Sequence, residues 1–179
     1  MRKIATPHLV AAAVLALGAS FGAQAQAPKL SHQDTSFLKD ASEANNAEIA
    51  ASQQALTKSA SADVKSFAQR MVDDHTKAEG ELTALAGQKG VKVSDKPSLT
   101  KRGEIKLLGE RKGASYDQHY AEMVGISAHK DAVKLFQTEA DKGTDPDVKA
   151  WAAKMLPVIQ HHLELGQSLK TKTDAAAKK

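Results

Sequence analysis

Apolar residues recur at intervals of three and four along most of the chain beyond residue 33, which is the spacing of amphipathic helices. Four long stretches show this pattern. Serine or aspartate precedes the second and fourth stretches, and Pro146 stands at the first turn of the fourth, where its fixed backbone angle suits a helix. The predicted helices cover about residues 34–58, 61–89, 115–142 and 146–170.

The connections between these stretches predict how the helices pair. Only short links, around 59–62 and 143–145, join the first helix to the second and the third to the fourth, and such links make antiparallel hairpins. The longer segment 91–114 contains one short run with helical spacing. We therefore predict an all-α, ferritin-like four-helix bundle of two antiparallel hairpins joined by a long crossover containing a short helix. The alternative is an ordinary bundle capped by a fifth short helix.

Composition and charge narrow the class of protein. The chain is rich in Ala, Lys, Glu, Gln and Leu, which favours helix. Basic residues number 25 against 21 acidic ones, and aromatic residues make up 4%. This balance argues against nucleic acid as a partner, because both a basic surface and base-stacking side chains are missing. Cysteine is absent, which excludes disulfides, thiolate ligands and a lipid-modified cysteine.

The first 25 residues have the anatomy of a secretory signal peptide. Arg2 and Lys3 precede an apolar run over 9–21, and small-residue sites follow, so cleavage is predicted after Ala25. Residues 26–33 are then a flexible N-terminus, 34–170 the bundle domain and 171–179 a flexible tail. An uncleaved membrane anchor is the alternative, but the run is shorter than the roughly 20 residues that a span needs. We expect an exported, periplasmic protein with no integral membrane span after signal removal.

Each long helix carries one residue of metal-ligand type on its apolar stripe. Imidazole and carboxylate groups suit zinc, copper or iron, and bundles build metal sites from such side chains on facing helices. Glu79, four residues after His75, lies on the same edge of the second helix and is predicted to orient that histidine from outside the site. The candidate ligands of one transition metal ion are Glu48, His75, His129 and His162.

A metal-free interpretation competes with this one. A buried histidine is often a core residue held by a carboxylate or a backbone carbonyl, and stripe membership does not show that four residues share one level of the bundle. The chain would then be a structural, interaction or stress-response module. Asp73 and Asp74 are expected to be solvated, His161 to be a surface residue and His119 to be a reserve ligand.

Enzyme motifs give little support for catalysis. The sequence contains no glycine-rich phosphate loop, no His-Glu-x-x-His and no recognisable nucleophile context, so it leans away from an enzyme. A homodimer or a partner in the cell envelope is left open by the residues.

Three motifs in this chain are distinctive in combination. They are the string 67–75 (FAQRMVDDH), Tyr116-Asp117 with Tyr120 and His129, and Leu156-Pro157 with His162-Leu163. Together they resemble the exported bacterial proteins grouped as domain of unknown function 4142 over about residues 36–169, and Glu48 matches that family's helix-one glutamate. The resemblance implies a ferritin-like bundle in the periplasm or associated with the outer membrane, and it implies no biochemical role.

One departure from the wider ferritin-like group matters. Its di-iron members carry Glu-x-x-His on two helices, so that carboxylates bridge two irons. No Glu-x-x-His occurs in this chain. The sequence therefore argues against a di-iron oxidase and favours a histidine-rich site for a single metal.

Overall fold

The computed structural model describes residues 30–178, and within that range every regular element is a helix. The prediction of an all-α protein is confirmed. The predicted signal peptide lies outside the described residues, as do residues 26–29 of the predicted N-terminal segment. Within 30–178, no helix has an apolar stretch long enough to cross a membrane. The elements are α1 (His32–Lys58), α2 (Ala62–Gln88), α3 (Leu99–Gly109), α4 (Gly113–Tyr120), a π-helical segment (Ala121–Ala128), α5 (His129–Lys142) and α6 (Pro146–Ala176).

Side-chain caps set where the long helices begin. The Ser31 hydroxyl accepts a hydrogen bond from the Asp34 backbone N–H, and the Asp34 carboxylate accepts one from the Ser31 backbone, which makes a capping box for α1. Asp145 caps α6 in the same manner through the N–H groups of Asp147 and Val148. At its other end α6 continues to Ala176, beyond the boundary predicted at residue 170.

The helices pack in two extensive pairs, α1 with α2 and α5 with α6, and α6 also packs against the π-helical segment. In both pairs the partners run antiparallel: Phe37 near the start of α1 shares an apolar cluster with Leu82 near the end of α2. The crossover between the pairs contains α3, which lies against α1 and α4. The short helix predicted within 91–114 is therefore present.

Two apolar clusters make up the core. The first apolar cluster is built around Phe37, Phe136 and the partly buried Trp151, whose rings have centroids 5.0 to 6.1 Å apart. The second is built around Phe67 and Tyr120, with Tyr116, Met71 and Leu169. Along every long helix, the stripe residues of metal-ligand type fall between the part in the first cluster and the part in the second. The core is thus two apolar masses separated by a polar layer.

The third predicted helix contains an irregularity that the apolar pattern does not reveal. It runs from Gly113 to Lys142 without a break, because the junction residues Tyr120 and His129 keep helical backbone angles. Its middle, however, is a π-helix, in which each turn holds more than the usual 3.6 residues. The wider turn ends directly at His129, so it fixes the direction in which that ring leaves the helix.

Candidate metal centre

Four side chains meet in the polar layer between the two apolar clusters. Glu48 comes from α1, His75 from α2, His129 from the first position of α5 and His162 from α6. The three imidazole rings have pairwise centroid distances of 5.4 to 5.6 Å. The structure therefore brings all four candidates to one level of the protein. We call this group the histidine cluster.

The atoms that face one another in this cluster are buried and without hydrogen-bond partners among residues 30–178. They are Glu48 Oε2, His75 Nε2, His129 Nε2 and His162 Nδ1. Glu48 Oε2 lies 3.4 Å from His75 Nε2 and 3.2 Å from His129 Nε2. One ring nitrogen from each histidine lies within 4.8 Å of those of the other two. Three ring nitrogens thus converge on a small volume, and Glu48 Oε2 lies beside those of His75 and His129.

The outer nitrogen of each histidine is held by an acceptor, which determines the tautomer. His129 Nδ1 donates to the carbonyl of Val124 at 2.7 Å, and His162 Nε2 donates to the Asp74 carboxylate at 2.9 Å. His75 Nδ1 lies 2.6 Å from Asn45 Oδ1. Because the Asn45 amide nitrogen donates to two acceptors, its oxygen faces the ring, and His75 Nδ1 must be the donor.

With the outer nitrogens protonated, the inner nitrogens of neutral imidazoles carry lone pairs. Burial lowers the pKa of His75, although the nearby Glu48 carboxylate opposes the shift. Burial also lowers the pKa of His162 to about 4; His75 adds to the effect, and the hydrogen bond to Asp74 opposes it. Both rings are therefore neutral at pH 7. Neutral imidazole is the form that binds metal ions.

Glu79 stabilises the cluster at one remove. It was predicted to contact His75, but its carboxylate accepts hydrogen bonds from Ser42, Asn45 and Asn46 instead. Asn45 stands between them because it projects from α1 toward the His75 ring. The carboxylate therefore orients the amide, and the amide orients the imidazole. Sequence spacing alone points to the i, i+4 neighbour and does not reveal an intermediary from another helix.

Asp74 corrects another expectation. Its neighbour Asp73 is exposed as predicted, but the Asp74 carboxylate, which was expected to be solvated, accepts the hydrogen bond of His162 across the interface of α2 and α6. The side chain remains 43% exposed, so it joins the cluster to the surface. His161 is exposed, as expected, and His119 donates to the Ser115 carbonyl away from the cluster.

Two glycines set the spacing of the helices that carry His129 and His162. Gly125 in the π-helical segment meets Gly166 in α6 so closely that a Cβ on Gly166 would lie 2.6 Å from Gly125 Cα. Each glycine is about one turn from its histidine. Neither position accepts a larger side chain without moving a backbone, so this contact fixes the separation of the two helices at the level of His129 and His162.

A small cavity adjoins the histidine cluster on the side of α6. It has a volume of about 30 Å³ and is lined by Glu48, His75, His162, Asp74 and neighbouring apolar residues, Met155 and Trp151 among them. A water molecule needs roughly 10–15 Å³ of such space. The cluster therefore has room beside it for a water molecule or a ligand of similar size.

Comparison with known proteins identifies a family but no activity. A family model described as "Domain of unknown function (DUF4142)" matches residues 19–169, which includes all four members of the histidine cluster. Neither a curated protein nor a solved structure matches the chain.

Proposed function

The chain belongs to the DUF4142 family, whose description assigns it no activity, and we propose that it is an exported, ferritin-like four-helix protein that binds one transition metal ion. The ligands are Glu48, His75, His129 and His162. Asn45, Val124 and Asp74 hold the rings in position, because each accepts a hydrogen bond from the outer nitrogen of one histidine. Metal binding or handling in the periplasm is then its role.

One observation carries the metal proposal. Three buried ring nitrogens lie close together with Glu48 Oε2 beside two of them, and none of these four atoms has a hydrogen-bond partner within residues 30–178. Buried polar atoms are nearly always paired, since leaving one unpaired costs about 1–3 kcal/mol. A bound cation satisfies all four atoms at once and offsets the burial of the Glu48 charge.

The donor set and its spacing suit Zn²⁺, Cu²⁺ or Fe²⁺. Hard ions such as Mg²⁺ prefer all-oxygen sites, whereas imidazole favours these transition metals. Ligand atoms bound at about 2.0–2.1 Å in a tetrahedron lie about 3.3 Å apart. The separations of Glu48 Oε2 from His75 and His129, 3.4 and 3.2 Å, are already of that size. A single carboxylate does not suit a carboxylate-bridged di-iron centre.

The ferritin-like arrangement and the cellular location have separate support. Two antiparallel helix pairs, joined by a crossover that contains α3, favour the bundle topology with one long connection. The basic start, the apolar run over 9–21 and the small residues up to Ala25 favour export. We therefore propose that the mature protein is periplasmic.

Elemental analysis tests the metal proposal. The protein, expressed from its complete sequence and purified without chelator, should contain close to one equivalent of zinc, copper or iron. His75→Ala should lose that metal, while His161→Ala, a matched change at an exposed histidine, should retain it. Circular dichroism checks that both variants are folded.

The opposing result would support the metal-free alternative, in which the histidines act only as hydrogen-bonded core residues. Less than about a tenth of an equivalent of any metal, together with no rise in Tm on adding Zn²⁺ or Cu²⁺, contradicts the proposed site, because a ligand that binds only the folded state must stabilise it.

Export has its own test. Mass spectrometry of protein recovered from the periplasmic fraction should give a chain that begins at Gln26. A chain that retains residues 1–25 and sediments with the inner membrane would contradict export and favour the anchor.

A further inference from the structure

A second, larger cavity lies on the other side of Glu48 from the α6 face. Its volume is about 230 Å³, and it is enclosed by α1, α3, the π-helical segment and α5. None of the three cluster histidines lines it, but Glu48 does. Its inner surface is mostly apolar, formed by residues that include Ala47, Ala51, Ile105, Met123, Val124 and Leu135.

Four charged residues line this cavity. Glu48 is buried, with 3% of its surface exposed. Lys101 and Glu104 of α3 pair at 2.9 Å and are about half exposed, and Asp131 of α5 is exposed. The exposed charges mark the side of the cavity that faces solvent, whereas Glu48 lies on its buried side.

The size and lining of the cavity select a class of ligand. An enclosed apolar cavity of about 150 Å³ in another protein binds benzene or xenon. The cavity here is larger and opens to solvent, so a molecule of that size can enter it. Charged ligands do not suit it, because the Glu48 carboxylate repels anions and the apolar wall penalises the desolvation of any ion.

We propose that this cavity binds a small, neutral, mainly apolar molecule, no larger than a benzene ring with a short alkyl chain, in contact with Glu48. That this molecule would lie close to a metal ion rests on the proposed function, whereas its binding in the cavity does not. Since Glu48 lines the cavity and also faces His75 and His129, the ligand and the metal ion share one side chain. Binding at one site should therefore change the affinity of the other, equally in both directions.

Toluene and xenon are suitable probes, and the metal-free, full-length chain is the right protein to begin with. We expect toluene to cause saturable NMR shifts in the methyl groups of Met123, Ile105 and Leu135. Xenon should shift the same signals, because the cavity selects for apolar character and size rather than for a functional group.

Three alanine-to-leucine substitutions, two in the cavity wall and one outside it, test whether toluene binds in this cavity. Ala47→Leu and Ala128→Leu add volume at two positions on the cavity wall and should each weaken toluene binding at least tenfold. Ala50→Leu is the matched control, since Ala50 is half-buried on α1 and does not line the cavity. It should leave the affinity unchanged. Using two filling variants protects the test against the misfolding of one.

The outcomes separate this proposal from the metal site. Toluene binding in a protein that takes up no metal would leave the cavity proposal standing and refute the proposed function. Metal uptake without any toluene or xenon shift would refute the cavity proposal alone. Toluene binding that both folded filling variants retain would also refute it, because the ligand would then lie elsewhere. Where both bind, toluene should change the Zn²⁺ affinity at least twofold; an unchanged affinity overturns the shared role of Glu48.

Discussion

Two buried polar clusters in this protein differ in how their atoms are satisfied. The histidine cluster has partners for every outer nitrogen and none, within residues 30–178, for the four atoms that face inward. The second group, which we call the carboxyl cluster, consists of Asp34 and Glu139 with their partners. Asp34 is as deeply buried as His129, with 0% of its surface exposed. Burial alone therefore does not distinguish the two clusters.

The carboxyl cluster joins the start of α1 to the turn between α5 and α6. The Asp34 carboxylate accepts hydrogen bonds from the backbone and hydroxyl of Ser31, from both groups of Thr144 and from the Asp145 N–H. Burial opposes ionisation of Asp34, but these hydrogen bonds outweigh it and hold its pKa well below the ordinary value. Asp34 is thus saturated with donors and ties the two segments together, whereas Glu139 Oε1 in the same cluster has no hydrogen-bond partner within residues 30–178.

The contrast shows what marks a binding site in a helical core. A structural cluster uses its charge to collect donors from its own chain, as Asp34 does. The histidine cluster donates its N–H groups outward and leaves its inward-facing atoms without partners within residues 30–178. Under the proposed function, a cation would satisfy these atoms. Removing the Asp34 charge should therefore destabilise the metal-free protein, whereas removing the Glu48 charge should stabilise it.

The largest effect is expected at the carboxyl cluster. Asp34→Ala leaves the Thr144 and Asp145 N–H groups and two hydroxyls without their acceptor, so the free energy of unfolding should fall by about 3 kcal/mol. Urea denaturation measures this change, with Asp40→Ala at an exposed position of the same helix as the control. Metal content per folded protein should be unaffected. A loss of metal in Asp34→Ala would show that the two clusters are coupled.

Glu48→Met should act in the opposite direction. The substitution keeps roughly the same volume and removes a buried carboxylate whose Oε2 has no hydrogen-bond donor within residues 30–178. An unpaired buried carboxylate costs stability, so its removal should stabilise the metal-free protein. We expect the metal-free protein to gain about 1 kcal/mol at pH 8. The same variant should fail to retain metal. Destabilisation of the metal-free form by more than about 1 kcal/mol would mean that Glu48 is internally compensated, as Asp34 is.

Asn45→Ala tests the outer hydrogen bonds of the histidine cluster. Loss of the acceptor at His75 Nδ1 frees the ring to rotate, and partners of this kind typically contribute 10–100-fold in metal affinity. We expect about a tenfold loss by isothermal titration with Zn²⁺. Asn46→Ala is the matched control, because Asn46 also donates to Glu79 but does not touch a cluster histidine. Equal losses in both variants would assign the effect to Glu79 and its network.

The last prediction concerns pH. Burial raises the pKa of Glu139 from 4.5 to about 7; the Gln33 hydrogen bond opposes this, and Asp34 adds to it. The folded state thus holds more protons than the unfolded state between these values, so this group's contribution to stability is complete below pH 4.5 and is lost as pH rises to about 7. The buried histidines, with lowered pKa values, contribute in the opposite direction.

Glu139→Gln isolates this contribution. The difference in unfolding free energy between the variant and the wild type, measured from pH 4 to 8, should shift in favour of the variant across that window. A difference that does not vary with pH would show that Glu139 titrates normally. Asp141→Gln, at an exposed position of the same helix, provides the baseline.

Much of the architecture could be read from apolar spacing, since α1, α2 and α6 have strong stripes with capping residues at their starts. The same stripes pointed to Glu48 and the three histidines. Their common level could not be derived, because a stripe fixes the face of a helix and leaves its sliding along the axis free. Asn45 and Asp74 were missed for a related reason: each contacts a histidine on a different helix, and local sequence carries no sign of such a pairing.

The π-helical segment and the carboxyl cluster were also beyond local reasoning. The extra width of a π-turn arises where packing against another helix offsets poorer backbone geometry, and here the packing partner is Gly166, far along the chain. Asp34 resembles an ordinary first-turn acid, and Glu139 an ordinary polar residue of an amphipathic helix. Only the turn that brings Thr144 to Asp34 distinguishes them.

The contact of Gly125 with Gly166 has a consequence for redesign. The two backbones are in direct contact at that point, so the distance between the helices there does not depend on the side chains of either apolar cluster. An engineer can repack Phe37, Phe136 and Trp151 at one end, or Phe67 and Tyr120 at the other, while the interval between His129 and His162 stays the same. The stability of the protein and the spacing of His129 and His162 can thus be adjusted separately.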